Sequence, residues 1–171
     1  MNHRSVFSSL LILLFLMSCG EEEEVAPTSS NYIGLEINKE EYKWEGDLVT
    51  ASLDDSGFFL ISGVSLALNT VQIYIFTDGK MPQSGETYEY FEVAAQDSGN
   101  KLSFANLTIG QLGFSTLALT ASSPLQKDRI GQIAFTEVIT DRCKGTFNFQ
   151  MANVEGVITI ENGEFDTPIN D

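Results

Sequence analysis

The sequence predicts an all-β protein, an antiparallel β-sandwich or flattened β-barrel of about ten strands, with a closed lipocalin-like barrel as the alternative. Three observations carry this expectation. Turn clusters recur along the chain: Asp54-Asp55-Ser56-Gly57, Asp78-Gly79-Lys80, Asp97-Ser98-Gly99-Asn100 and Asn162-Gly163. Several stretches between them alternate apolar and polar residues at period two, as half-buried strands do. No window of about a dozen residues carries an apolar stripe at helical spacing.

In chain order the predicted strands are Leu35–Ile37, Tyr42–Trp44, Val49–Leu53, Phe58–Ser65, Thr70–Phe76, Tyr88–Ala95, Leu102–Ala105, Thr116–Thr120, Gly131–Ile139, Gly145–Met151 and Val157–Glu161. Val71, Ile73 and Ile75 point to one face and Gln72 to the other. Phe147, Phe149 and Met151 likewise oppose Thr146, Asn148 and Gln150. The best helical segment is short, Ser122 to Lys127, with Pro124 near its start. So many strands on one chain need two packed sheets or a closed barrel, because one open sheet leaves a face unburied.

The last two strands permit a register prediction. Phe147, Phe149, Ile158 and Ile160 must all face the core. Pairing Phe149 with Ile158 and Phe147 with Ile160 achieves this, with the loop at Ala152–Glu155. A one-residue slip puts Thr159 and Glu161 inside.

Ahead of the β body lies an export leader. Met1-Asn2-His3-Arg4 is a short basic start, and Leu10 to Met17 is an unbroken apolar run. That run is shorter than the roughly 20 residues a membrane-spanning helix requires. Leu16-Met17-Ser18-Cys19 then matches a lipobox, with Leu three residues before Cys and a small residue just before it. The motif implies diacylglyceryl attachment to the Cys19 thiol, cleavage after Ser18, and acylation of the new amino group, with palmitate as a typical chain. Each buried methylene contributes about 0.8 kcal/mol, so two or three chains anchor a protein stably.

Removing 18 of 171 residues leaves 153, one domain's worth. The chain therefore divides into a signal peptide (1–18), a lipidated Cys with an acidic flexible tether (19–31), and a single all-β domain (32–171). The tether lacks apolar periodicity, and as a coil it spans about 20 Å. Glu21, Glu22, Glu23 and Glu24 follow the lipidated Cys at once. They resemble the acidic export signal of surface lipoproteins in the Bacteroidota, which implies an outer-membrane protein facing the cell exterior; the periplasmic face is the alternative.

A second resemblance covers the last third of the chain. Lys144-Gly145-Thr146-Phe147-Asn148-Phe149, then Val157-Ile158-Thr159-Ile160 and Asn162-Gly163-Glu164-Phe165-Asp166, is similar to the C-terminal signature of a family of uncharacterised Bacteroidota lipoproteins. Gly85-Glu86-Thr87-Tyr88 is similar to that family's central Gly-x-Tyr turn. Near the N-terminus Asn38-Lys39-Glu40-Glu41-Tyr42-Lys43-Trp44 departs from the early Asn-Gly turn expected before a Trp. The family has no known activity, so the resemblance implies fold and location alone.

Composition excludes several chemistries. The formal net charge is −15. Arg4 leaves with the leader, so 24 acids then face 8 bases, a net −16. Such a surface repels nucleic acid and anionic headgroups. The only His is His3, inside the leader. Without a mature His there is no Ser-His-Asp or Cys-His catalysis and almost no zinc chemistry. No nucleophile elbow, P-loop or dinucleotide fingerprint is present. No cofactor or metal is expected.

After lipidation of Cys19, Cys143 is the one free thiol, so no intrachain disulfide forms. Arg142 and Lys144 flank it and would lower its pKa, against the plainer reading of an inert residue at a strand start. Lys127, Arg129, Arg142 and Lys144 suggest a basic patch, but Arg129 and Arg142 lie at opposite ends of a strand, roughly 40 Å apart at about 3.3 Å per residue. Asp54–Gly57 and Asp97–Asn100 each resemble half a calcium loop, and turn chemistry alone explains both.

Tyr88-Glu89-Tyr90-Phe91-Glu92 interleaves aromatics and carboxylates. Tyr88, Tyr90 and Glu92 share a strand face, the pattern of a sugar-stacking platform as well as of a packed aromatic ladder. Glu86, Glu89 and Glu92 are the candidates for a glycosidase pair, which needs a separation of about 5–9.5 Å. The expectation is a membrane-anchored, surface-exposed, non-enzymatic domain that binds a glycan or an envelope protein. A purely structural envelope component, a carbohydrate-binding module and a carboxylate-dependent glycoside hydrolase are the alternatives.

Overall fold

The computed structural model describes residues 31–93, 102–120 and 128–170. Eleven strands run through them: β1 Tyr32–Ile37, β2 Glu40–Glu45, β3 Val49–Leu53, β4 Phe58–Val64, β5 Thr70–Phe76, β6 Thr87–Phe91, β7 Phe104–Ile109, β8 Leu112–Ser115, β9 Arg129–Ile139, β10 Arg142–Asn153 and β11 Gly156–Asn170. Period-two alternation is the local cause. Ile33, Leu35 and Ile37 of β1 are buried between half-exposed neighbours, and β4 and β5 follow the same rule. Val71, Ile73 and Ile75 face the core as the sequence predicts, as do Phe147, Phe149 and Met151.

All the strands belong to one hydrogen-bonded sheet that doubles back on itself. One layer runs β2-β1-β11-β10-β9-β6 and the other β3-β4-β5-β7-β8. Two narrow seams join them. β11 pairs in parallel with β3 through Ile169–Ala51 and Asn170–Ser52, and β10 meets β8 at Ala152–Ser115 alone. The ring of pairings is thus closed, but by three residue pairs, and the result is a two-layered, sandwich-like fold rather than an evenly closed barrel. Contacts between the layers define the core. Phe59 meets Phe135 edge-on at 5.8 Å, Tyr90 Oη donates to the Tyr74 carbonyl at 3.1 Å, and Trp44 Nε1 donates to the Asn69 carbonyl at 2.9 Å.

The C-terminal strands correct the sequence-based register. Phe149 opposes Ile160 and Met151 opposes Ile158, two residues from the prediction, while Phe147 opposes Gly163. The inward faces are the same, because a shift of two preserves the pleat. The turn is what differs. It has two residues, Val154 and Glu155, and Asn153 Oδ1 accepts from the backbone N–H groups of Glu155 (2.8 Å) and Gly156 (3.1 Å).

Asn162-Gly163, expected as a turn, is a bulge inside one long strand, with Asn162 at φ 49°. Ile158 and Ile160 face inward on even positions, and Gly163, Phe165 and Thr167 on odd ones. An extra residue must switch the phase, and the bulge at Glu161–Asn162 does so. The predicted strand Thr116–Thr120 is instead a 3-10 turn at Thr116–Ala118, preceded by β8. Ser115 caps that turn by accepting from Leu117 N. Ser122–Lys127 and Asp97–Asn100 lie outside the described residues.

The Gly-Thr-Phe-x-Phe and Asn-Gly-x-Phe motifs acquire a physical meaning here. Gly145 opposes Phe165 across β10–β11, and Phe147 opposes Gly163. A Cβ on Gly163 would stand 2.5 Å from the Phe147 ring. Each glycine leaves room for the aromatic ring of its cross-strand partner, and Gly131 does the same for Phe149 on β9–β10. The motif is a reciprocal glycine–phenylalanine lock.

Candidate outer-sheet groove

The bulge also shapes the solvent face of the six-stranded layer. Two adjoining depressions lie there, of about 410 Å³ and 380 Å³, sharing Asn162 and Glu164. Gly34, Glu36, Glu41 and Lys43 of β1 and β2 complete the first, and Thr146 and Asn148 of β10 the second. Gly34 opens the floor. A Cβ placed on it would touch only the Glu164 side chain, at an ordinary 3.5 Å.

The groove's polar groups are held by one another. Asn162, turned outward by its left-handed backbone, donates through Nδ2 to Glu36 Oε2 at 2.9 Å. Lys43 Nζ pairs with Glu45 at 2.7 Å and lies 5.0 Å over the Tyr32 ring. Burial, then the charges of Glu164 and Asp166, push the Tyr32 phenol above its usual range and keep it a donor. Carboxylates, an amide and a hydroxyl along a shallow trough suit hydroxyl-rich ligands. Three acids against one lysine disfavour phosphates, sulfates and uronates. Among the described residues no group of three or more His, Cys, Asp or Glu side chains is arranged to hold a metal ion.

The residues singled out by sequence are placed as follows. Cys19 and Glu21, Glu22, Glu23 and Glu24 lie outside the described residues. Tyr88 and Tyr90 share a face of β6, the inward one, while Glu92 lies past the strand's end, beyond a register irregularity at Tyr90–Phe91 that breaks the predicted alternation. Tyr90 is 1% exposed, stacked obliquely on Phe149 at 4.6 Å, so its ring is not a stacking platform. The ladder reading prevails because β6 is the edge strand that closes one side of the core. Glu92 Oε2 accepts from Asp128 N at 3.4 Å.

Tyr88 is half-buried, edge-on to Phe135 at 6.0 Å, and donates to Glu86 Oε2 at 2.7 Å. With Phe76, Asp78, Lys80 and Glu86 it lines a cavity of about 360 Å³. The Glu86 carboxyl is lowered by the hydrogen bonds of Tyr88 and of the Gln83 N–H, whereas a glycosidase general acid needs to be raised. Glu89 faces outward and pairs with Arg129 at 2.9 Å.

Cys143 is fully buried, with Sγ 3.2 Å from Thr167 Oγ1. Burial pushes its pKa up to about 11 and outweighs the flanking Arg142. Each described cation of the supposed basic patch has its own carboxylate: Arg129 with Glu89, Arg142 with Asp166, and Lys144 with Glu137. At Asp54–Gly57, Asp54 Oδ1 accepts from Ser56 N and Phe58 N, both at 2.9 Å, which is turn chemistry.

Sequence reasoning missed Glu36, Asn162 and Glu164 as a group. The one local signal was the phase break around Asn162-Gly163, which reads equally well as a turn. Compared with known proteins, the chain matches no family model, no curated protein and no solved structure.

Proposed function

We propose that this protein is a lipid-anchored, non-enzymatic binding domain on the exterior face of an outer membrane, and that the outer-sheet groove takes a neutral glycan. The lipobox Leu16-Met17-Ser18-Cys19 and the acidic run behind it support the location. The observation that carries the binding reading is the set of polar groups that Glu36, Asn162 and Glu164 present along one groove, with Tyr32 hydrogen-bonded to Glu164 from beside it. They are ordered by contacts to each other before any ligand arrives, so little freedom is lost on binding.

A glycan array probed with the 25–171 chain tests the ligand. Neutral oligosaccharides should score and sulfated or uronate-rich ones should not. Gly34→Leu fills the groove floor from a position where a Cβ is tolerated, so it should abolish the signal while thermal stability holds. A blank array, or an unchanged Gly34→Leu signal, defeats the glycan reading. Radiolabelled palmitate feeding tests the anchor, and loss of label only with Cys19→Ser is the expected result. Protease shaving of intact cells tests display, since survival of the protein would place it on the periplasmic face.

A further inference from the structure

We propose that the free edge of β8 is a docking site for an extended polypeptide segment of another protein, with apolar side chains flanked by basic residues. This surface is separate from the glycan groove and does not depend on it.

β8 pairs along its whole length with β7, yet on its other side, among the described residues, only Ser115 is paired, with Ala152. The β7–β8 hairpin closes at Ile109–Leu112 around Gly110-Gln111. By the alternation of such a ladder, Gly113 turns its N–H and C=O away from β7, toward the gap before the β10–β11 turn. Gly113 carries no side chain, and a Cβ there would meet nothing within 4 Å. The gap is a notch of about 540 Å³ walled by Leu112, Phe114, Ala118, Ala152 and Val154. Leu112 is 40% exposed and Val154 wholly so, at 104%.

These features specify the occupant. A strand edge open at Gly113, beside an apolar notch, takes an extended segment whose main chain bonds to that residue and whose alternate side chains fill the notch. Charge sets its flanks. Glu155 is the sole charged residue lining the notch, on a chain of net charge −15. A second copy would bring a second Glu155 and the same excess of acids, so a basic-flanked partner is favoured. Position agrees. The chain enters the fold at Asn31, whose Oδ1 accepts from Arg142 at the start of β10. The notch adjoins Asn153 at the other end of that strand, about 36 Å away at 3.3 Å per residue, and so lies at the opposite end of β10 from Asn31.

The test uses the mature chain and the peptide acetyl-Lys-Val-Thr-Ile-Thr-Val-Lys-amide. Two controls are the same peptide with proline at its centre and the same peptide with glutamate at both ends. Amide NMR reads the site. The lysine-flanked peptide should shift the Gly113 amide and slow its hydrogen exchange at least tenfold. The proline peptide should do neither, and the glutamate peptide should bind at least tenfold more weakly. Val154→Lys, at a fully exposed turn, should weaken binding of the lysine-flanked peptide at least tenfold without unfolding the protein. Equal binding of all three peptides overturns the proposal, as does a Gly113 amide already protected in the peptide-free protein. A concentration-dependent dimer that protects Gly113 would also overturn it, by making a second copy the occupant.

Discussion

Replacing Gly145 by Ala adds one methyl group where the fold has no space for it. Gly145 is buried on β10 between Phe135 of β9 and Phe165 of β11, whose rings meet edge-on 5.5 Å apart. The new Cβ would fall onto the Ala134 carbonyl oxygen and stand 2.5 Å from the Phe165 ring. The ring can turn, but the carbonyl belongs to the β9 ladder and can move only with its strand. Overpacking of this kind costs about 1–3 kcal/mol, occasionally more, and a backbone clash belongs at the upper end. Against it stands roughly 0.8 kcal/mol gained by burying a methyl and the entropic disadvantage of strand glycine that alanine removes. A net loss of about 1–2 kcal/mol is expected, a sizeable part of the roughly 5–15 kcal/mol that holds a domain together. Urea unfolding followed by the emission of Trp44, the single tryptophan and a buried one, measures it. Gly34→Ala is the control, since its Cβ finds a 3.5 Å contact, and it should stay within about 0.5 kcal/mol of the parent. Adding Phe165→Leu to Gly145→Ala should recover little, because the carbonyl clash persists. A Gly145→Ala midpoint equal to that of Gly34→Ala would refute the glycine–phenylalanine lock.

Other expectations follow from single contacts. Tyr90→Phe leaves the Tyr74 carbonyl without the phenol donor and should cost about 1 kcal/mol in the same urea assay; a neutral result would mean that the bond is not formed in solution. Asn153→Ala removes the acceptor for two turn N–H groups and should destabilise by a similar amount, with faster amide exchange at Glu155 and Gly156. Cys143 should resist iodoacetamide at pH 8 in the folded protein and react once urea unfolds it. Its folded pKa of about 11 lies above the roughly 8.5 of a free thiol. Its contribution to stability is therefore complete below about pH 8.5 and is lost as pH rises through 11. Between pH 9 and 11 the wild type should lose stability more steeply than Cys143→Ala, and parallel curves would contradict the burial argument.

Side-chain periodicity made most strands legible. Alternation in Thr70–Phe76 and Gly145–Met151 is a local pattern, set by residues two apart, and it survived into the fold unchanged. The two-residue register error at β10–β11 arose where local pattern is degenerate, since both registers bury the same face and only the Asn153–Gly156 turn distinguishes them. Tyr88 and Tyr90 were recognisable as a pair on one strand face, but which face met solvent depended on where β6 sits at the layer's edge. The groove was not legible, because Gly34 and Glu36 lie more than a hundred residues from Asn162 and Glu164, and only the β1–β11 pairing brings them together.

By itself the sequence determined the all-β class, the turns at Asp54–Gly57 and Asp78–Gly79, that His3 is the single histidine, and the lipobox motif on which the proposed anchor rests. These follow from residue type and near-neighbour spacing. Tertiary structure alone decided how the layers join, that Asn162-Gly163 bends a strand instead of ending it, and that, among the described residues, Gly113 of β8 has no partner strand on its outer side. Strand pairing between distant segments is set by the packing of whole layers, and no local window of the chain contains that information.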